Sequence, residues 1–191
     1  MHSSIGGPLI LTLFVLISCF FLVDSVVPSK QTTSKAAAAK ALARKRSIAI
    51  YYAELEKREF LSAHNKIRYL NKEPTFIWDN KLVLYAKKHF YQRFNDCKMV
   101  HSNGPYGENI FWGSGRKWRP INAVRFWADE MKFYNIRSNT CKQGKMCGHY
   151  TQIVWKESVR LGCFRGTCKN GDTYITCEYD PPGNYVGEKP F

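Results

Sequence analysis

The nine residues Cys147-Gly-His-Tyr-Thr-Gln-Ile-Val-Trp155 put a thiol, an imidazole and an alternating apolar run into one short stretch. An imidazole titrates near neutral pH and ligates divalent metals through its neutral nitrogens. His149 is therefore either a site residue or a satisfied histidine of the core. Tyr150, Gln152 and Val154 share one parity and Thr151, Ile153 and Trp155 the other, which predicts a strand. Ser102, beside His101, could serve as a nucleophile only in principle, because neighbours on an extended segment point apart. The chain contains neither G-x-S-x-G nor H-E-x-x-H.

Cysteine is the second chemistry-bearing residue type. Of seven cysteines, Cys19 falls within an apolar N-terminal run, leaving Cys97, Cys141, Cys147, Cys163, Cys168 and Cys177. An even set behind a secretory leader predicts disulfides. Structural zinc is disfavoured, because the spacings are not paired C-x-x-C.

The leader is residues 1–25: Pro8 to Val23 is an apolar core, and Val23 and Ser25 suit the positions around a cleavage site. Only His2 stands where a basic leader start is usual, but the run is too short for a membrane anchor and no Lys or Arg precedes it. Secretion to the extracellular space or cell wall follows. Residues 26–48 hold the Ala/Lys-rich stretch Gln31 to Arg46, which has no aromatic side chain and reads as a basic linker or propeptide. Arg44-Lys45-Arg46 reads as a solvated charge run ahead of a processing site. The remaining 49–191 suffice for one domain, since 45% of the chain is hydrophobic and 15% aromatic. A formal charge of +14 favours anionic neighbours such as acidic cell-wall polysaccharide or lipid headgroups, with nucleic acid the less favoured partner.

Within the domain, Leu55, Leu61, His64 and Ile67 share a helical face, predicting a first helix from Tyr51 to Leu70 that ends before Pro74. Thr75 to Trp78 is extended. Asp79 caps a second helix with Leu82, Tyr85, Ala86, His89, Phe90 and Phe94 at spacings of three and four. A Gly-rich loop, Asn103 to Asn109, leads through Ile110-Phe-Trp112 to a second loop, and Pro120 opens a third helix with Ala123, Val124, Trp127, Met131 and Tyr134. Three β-rich runs follow: Thr151 to Trp155, Val159 to Phe164 and Thr173 to Tyr179. Asn170-Gly171 is a hairpin turn signal. With that pair central, Cys163 faces Glu178, and a bulge or longer loop would bring Cys163 to Cys177, the preferred bridge. The other four cysteines stay open to three pairings. Helices first and sheet afterwards predict an α+β fold with an antiparallel sheet.

Four stretches in order, His64-Asn-Lys-Ile-Arg68, Gly107-Glu-Asn-Ile110, Cys147 to Trp155 and Tyr174 to Tyr185, resemble the signatures of the CAP superfamily. Asp96-Cys97, His101 to Ser114 and the six cysteines are more narrowly similar to the plant pathogenesis-related class 1 proteins. The resemblance implies an α-β-α sandwich over 49–191 and a cleft lined by His101, Glu108, Glu130 and His149. It also implies secretion, sterol or lipid binding in some members, and an antimicrobial effect.

The chemistry of those four residues suits a divalent ion such as zinc, bound by the imidazoles with the carboxylates orienting them. It suits a hydrolase less well, for want of a nucleophile and an oxyanion stabiliser. Binding is therefore favoured over turnover, with sterol or the microbial membrane as target and a monomer as the acting unit. Phe111, Trp112, Trp118, Phe126 and Trp127 offer aromatic surface for a flat apolar ligand, although Trp127 suits the core. The alternatives are a metal-assisted hydrolase using the two histidines with Glu108 or Glu130 as base, and a precursor of the C-terminal peptide 181–191. In plant relatives such a peptide follows Cys-Asn-Tyr-Asp, where this chain has Cys177-Glu-Tyr-Asp180 before Pro181. His64, on the buried stripe of the first helix, reads as structural.

Overall fold

The protein is described here by a computed structural model covering residues 30–191, with side chains from Ser34 onward. The expected leader, 1–25, lies outside the described residues. The described residues divide into two units between Arg44 and Lys45.

The first helix, α1 (Lys30–Leu70), begins well before Tyr51 and takes in the stretch expected as a linker. Ala, Lys, Leu and Arg are strong helix formers, and a helix already nucleated elsewhere extends at little cost per residue. From Ser34 to Ala53 its side chains are exposed. Further along, Phe60, His64 and Arg68 are buried.

A four-stranded sheet runs in the order β1-β5-β6-β2, formed by β1 (Ile77–Trp78), β5 (Arg160–Thr167), β6 (Thr173–Asp180) and β2 (Gly107–Gly113). Its pairs are antiparallel except the short β1 edge, which lies parallel to β5. β2 was read as loop and connector; its alternation is hidden because Gly107, Asn109, Ile110, Phe111 and Gly113 are all buried. The helix α2 (Asn80–Arg93) is capped by Asp79, whose carboxylate accepts from the Lys81 amide at 2.7 Å. It packs on β5 and β6, with Phe90, Ile110 and Tyr174 in that layer. A Cβ at Gly162 would lie 2.5 Å from the Val83 nitrogen and 2.7 Å from the Asp79 oxygen, so only glycine lets α2 approach this closely.

The opposite layer holds α1, α3 (Pro120–Ala128) and α4 (Gly148–Ile153) over Phe111, Leu161, Ile175, Cys177 and Tyr179. The predicted third helix stops at Ala128. Met131 falls in a 3-10 turn, Asp129–Phe133, and Tyr134 in β3 (Tyr134–Asn135), which pairs with β4 (Thr140–Cys141).

The predicted strand from Thr151 to Trp155 is instead the helix α4 and its exit. Tyr150, Thr151, Gln152 and Ile153 are all buried, so no exposed face betrays the true period. Both ends are held from outside. At the exit, the buried Arg68 donates to the carbonyls of Ile153 and Trp155 at 3.1 and 2.7 Å and lies over the Phe76 ring at 4.2 Å. A cation there matches the partial negative charge of a helix C-terminus.

The hairpin loop is five residues, 168–172, between the facing pair Thr167 and Thr173, with Gly171 at φ +90°. That odd length puts Cys163 directly opposite Cys177 and joins them in a disulfide. Cys97 bridges to Cys168, fastening the end of α2 to the loop, and Cys141 bridges to Cys147 ahead of α4.

A buried hydrogen-bond chain crosses the core. His64 Nδ1 lies 2.8 Å from the Phe60 carbonyl and Nε2 2.8 Å from the Tyr179 hydroxyl, which accepts from Asn109 Nδ2 at 3.0 Å. Asn109 also donates to the His149 carbonyl at 3.0 Å. The chain is satisfied when His64 carries its proton on Nδ1 and accepts from Tyr179. Burial lowers the His64 pKa to about 4, keeping it neutral. Unfolded His64 takes up a proton near pH 6.5 while the folded ring does not, so this contribution to stability is lost as pH falls from about 6.5 to about 4. Tyr179→Phe should cost about 1–3 kcal/mol by leaving buried polar atoms unpaired, read as a lower urea midpoint at pH 7. An unchanged midpoint would refute the role given to this chain.

Candidate functional site

β2 is the edge strand on which the site is built. Glu108 lies on the same side as Ile110, facing α2, whereas Asn109 and Phe111 face the opposite layer. The four expected cleft residues form two His–Glu pairs, one on each side of this strand.

In the first pair, Glu108 Oε1 lies 2.6 Å from His101 Nδ1 and accepts from the Ser102 amide at 2.9 Å. Glu108 is nearly buried while 58% of the His101 side chain is exposed. The carboxylate bond raises the His101 pKa, outweighing partial burial. For Glu108 burial acts upward, but the bonds from His101 and Ser102 and the nearness of His89 outweigh it and leave the pKa lowered. The Ser102 hydroxyl accepts from Tyr85 at 3.3 Å and from the Gly104 amide at 3.4 Å, and among the described residues no hydrogen bond joins it to the His101 ring.

In the second pair, His149 Nδ1 lies 2.7 Å from Glu130 Oε1, and the His149 amide donates to Glu130 Oε2 at 3.0 Å. Glu130 thus fixes the ring and also caps the first turn of α4. The ring stacks on Trp127 at 6.2 Å between centroids and 21° between planes. Among the described residues no hydrogen bond or ion pair joins the two pairs directly; the Asn109 bond to the His149 carbonyl is what ties β2 to α4.

Glu178 is the residue that sequence reasoning undervalued. It stands directly opposite Glu108 in the β2–β6 register and is fully buried. Thr176 donates to its Oε1 at 3.1 Å, while Oε2 of Glu178 and Oε2 of Glu108 are buried without a hydrogen-bond partner. Burial, then the Glu108 charge, raise the Glu178 pKa to about 9, so at neutral pH it holds its proton beside the ionised Glu108. The signal lay in the alternation of β6, where Thr176 and Glu178 share one side and Cys177 and Tyr179 the other. His89, also buried, lies 3.8 Å from Glu108 Oε2 and 3.2 Å from the Tyr174 hydroxyl.

The second pair opens onto a groove of about 520 Å³. Its lining includes Phe111, Trp112, Trp118, Phe126 and Trp127, together with Glu130 and His149. Phe111, Trp118 and Phe126 pack against one another with centroids 5.3–5.8 Å apart. Trp127 is buried, whereas Trp112 and Phe126 are 42% and 55% exposed.

Each imidazole meets its carboxylate through Nδ1 and keeps Nε2 for a ligand, the way carboxylates orient metal-binding histidines, but among the described residues no three His, Cys, Asp or Glu side chains group closely enough to hold an ion.

At the far end of β6, Arg160 donates to the Asp180 carboxylate at 2.9 Å, and Ser158 donates to the Pro181 carbonyl at 2.7 Å. Beyond these, Thr151 and the Gly148 carbonyl hold Asn184, and the Lys156 amide holds Pro190. Release of 181–191 would require loss of these contacts as well as cleavage after Asp180.

Glu178→Gln separates burial from ionisation. A carboxyl whose folded pKa exceeds its unfolded value costs stability once the unfolded group ionises. The melting temperature of the wild type should therefore fall relative to that of the variant as pH rises from about 4.5 toward about 9. Parallel melting curves for the two across that window would show that Glu178 does not titrate as assigned.

The residues 61–179 match the model of CAP, the cysteine-rich secretory protein family. The chain is 51% identical over 136 residues to pathogenesis-related protein PR-1 of Medicago truncatula, covering 71% of this chain and 79% of that one. It is 46% identical over 141 residues to pathogenesis-related protein 1B of Nicotiana tabacum, covering 73% and 83%. Solved structures similar in fold include Na-ASP-1, at TM-score 0.63 and 25% identity over 71% of this chain and 41% of that one. NaASP2 with Zn2+ gives TM-score 0.58 and 25% identity over 71% and 84%. The three disulfides fit an extracellular protein. With its sandwich fold, two His–Glu pairs and these relatives, the chain belongs to the CAP family and, within it, to the plant pathogenesis-related class 1 proteins.

Proposed function

We propose that this protein is a secreted plant defence protein that acts by binding, taking a sterol or another flat lipid of a microbial membrane into the groove beside His149. The groove carries this reading. Its volume of about 520 Å³ and aromatic lining suit a largely apolar ligand, and the His149–Glu130 pair supplies one polar end where a ligand hydroxyl could hydrogen-bond. Trp112 and Phe126, already exposed, lose apolar surface to water when the ligand enters. Among the described residues each imidazole bonds its own carboxylate through Nδ1, and no hydroxyl or thiol is hydrogen-bonded to either ring.

The test is titration of the purified protein with a fluorescent sterol. Saturable binding is expected, weakened about tenfold or more by Trp112→Ala or Phe126→Ala, each of which removes on the order of 1.5–3 kcal/mol of apolar burial. Absence of saturable binding, under conditions where a known sterol binder responds, rejects the reading. So does binding that neither substitution alters.

A further inference from the structure

The family match begins at residue 61, and the described part of α1 before it has a character of its own. Lys35, Lys40, Arg44, Lys45 and Arg46 are exposed, and no acidic residue occurs between Lys30 and Ala53. The next two turns present Ile48, Tyr51, Tyr52 and Leu55 at i, i+3, i+4 and i+7, the spacing of one helical stripe. These four remain 46%, 62%, 60% and 41% exposed. Tyr52 and Leu55 continue into a groove of about 270 Å³ shared with Trp118 and Pro120, in which Glu56 and Glu59 are paired with Arg165 and Arg119 and Arg116 adds a further cation.

We infer that the stretch from Lys35 to Leu55 is an adhesion element for anionic phospholipid bilayers, its basic residues drawn to the headgroups and its Ile/Tyr/Leu stripe entering the interface. The exposed stripe decides among anionic partners. A polyuronate would be satisfied by charge alone and would leave the stripe in water, whereas a bilayer offers a negative surface with apolar depth beneath it. A second copy of the chain would oppose one set of positive charges to another. This surface is separate from the His149 groove and stands whether or not that groove takes sterol.

The test uses protein recovered from the medium of expressing plant cells, its N-terminus read by mass spectrometry. Cosedimentation is measured with sterol-free vesicles of phosphatidylcholine alone and of phosphatidylcholine with phosphatidylglycerol. Binding should be at least about tenfold stronger to the anionic vesicles and should weaken with salt. Combining Lys40→Glu, Arg44→Glu and Arg46→Glu should reduce it by more than about a hundredfold, since loss of the three positive charges alone removes about 1 kcal/mol each and the new carboxylates add repulsion. If circular dichroism shows helix loss in that variant, the three Gln replacements answer the same question, with a smaller reduction. Ile48→Gln, Tyr51→Gln and Tyr52→Gln together should reduce binding about tenfold through lost apolar burial. Equal binding to both vesicles overturns the inference, as does a stripe variant that binds like wild type. Tight binding to polygalacturonate with loss only in the charge variant would assign the surface to polysaccharide instead. A stripe variant that abolishes self-association but not vesicle binding would assign it to a second copy. A recovered chain that begins beyond Arg46 also overturns the inference.

Discussion

The hydrogen-bond chain from His64 through Tyr179 and Asn109 to the His149 carbonyl is the constraint on which the domain depends. It joins α1, the central strand β6, the edge strand β2 and the start of α4, four elements that no shared sequence neighbourhood holds together. The His64, Tyr179 and Asn109 side chains in it are buried, so breaking one link leaves others without partners and without water. His64 is therefore kept neutral for a structural reason: a charged ring would lose its acceptor role toward Tyr179 and would sit unsolvated in the core.

From this frame the two His–Glu pairs acquire different characters. Glu108 belongs to a cluster of buried acid and imidazole groups, with Glu178 and His89 behind it and only His101 reaching solvent. Glu130 does two jobs at once, orienting His149 and capping α4, so its position is set by the backbone as much as by the ring. Among the described residues the lining of the aromatic groove includes Glu130 and His149 and not Glu108 or His101.

The fold was legible where one face met water and the other the core. Asp79, the spacing of Leu82 to Phe90 and the turn around Gly171 each encode a local preference, and α2 and the β5–β6 hairpin follow from them. Legibility failed where every side chain is buried. Residues 151–155 read as a strand because periodicity needs an exposed face, and the capping by Glu130 and the Arg68 clamp come from distant parts of the chain. The helical start at Lys30 was masked for a related reason, since a helix anchored by packing further along can extend through residues that have no core of their own.

By itself the sequence determined which chemical groups this protein has, the turn and cap signals that shape α2 and the hairpin, and, through its ordered motifs, the family. Only the tertiary structure decided how those groups are paired. The placing of Glu108 opposite a protonated Glu178 depends on the β2–β6 register, and that of Cys163 opposite Cys177 on the β5–β6 register, which a hairpin loop of odd length set one residue away from the local expectation. Charge state depends on what surrounds a group in space, and those neighbours come from β6, α2 and the segment before β2. Local sequence fixes conformation through short-range sterics and capping, whereas burial and proton sharing are long-range properties that arise when separate elements pack.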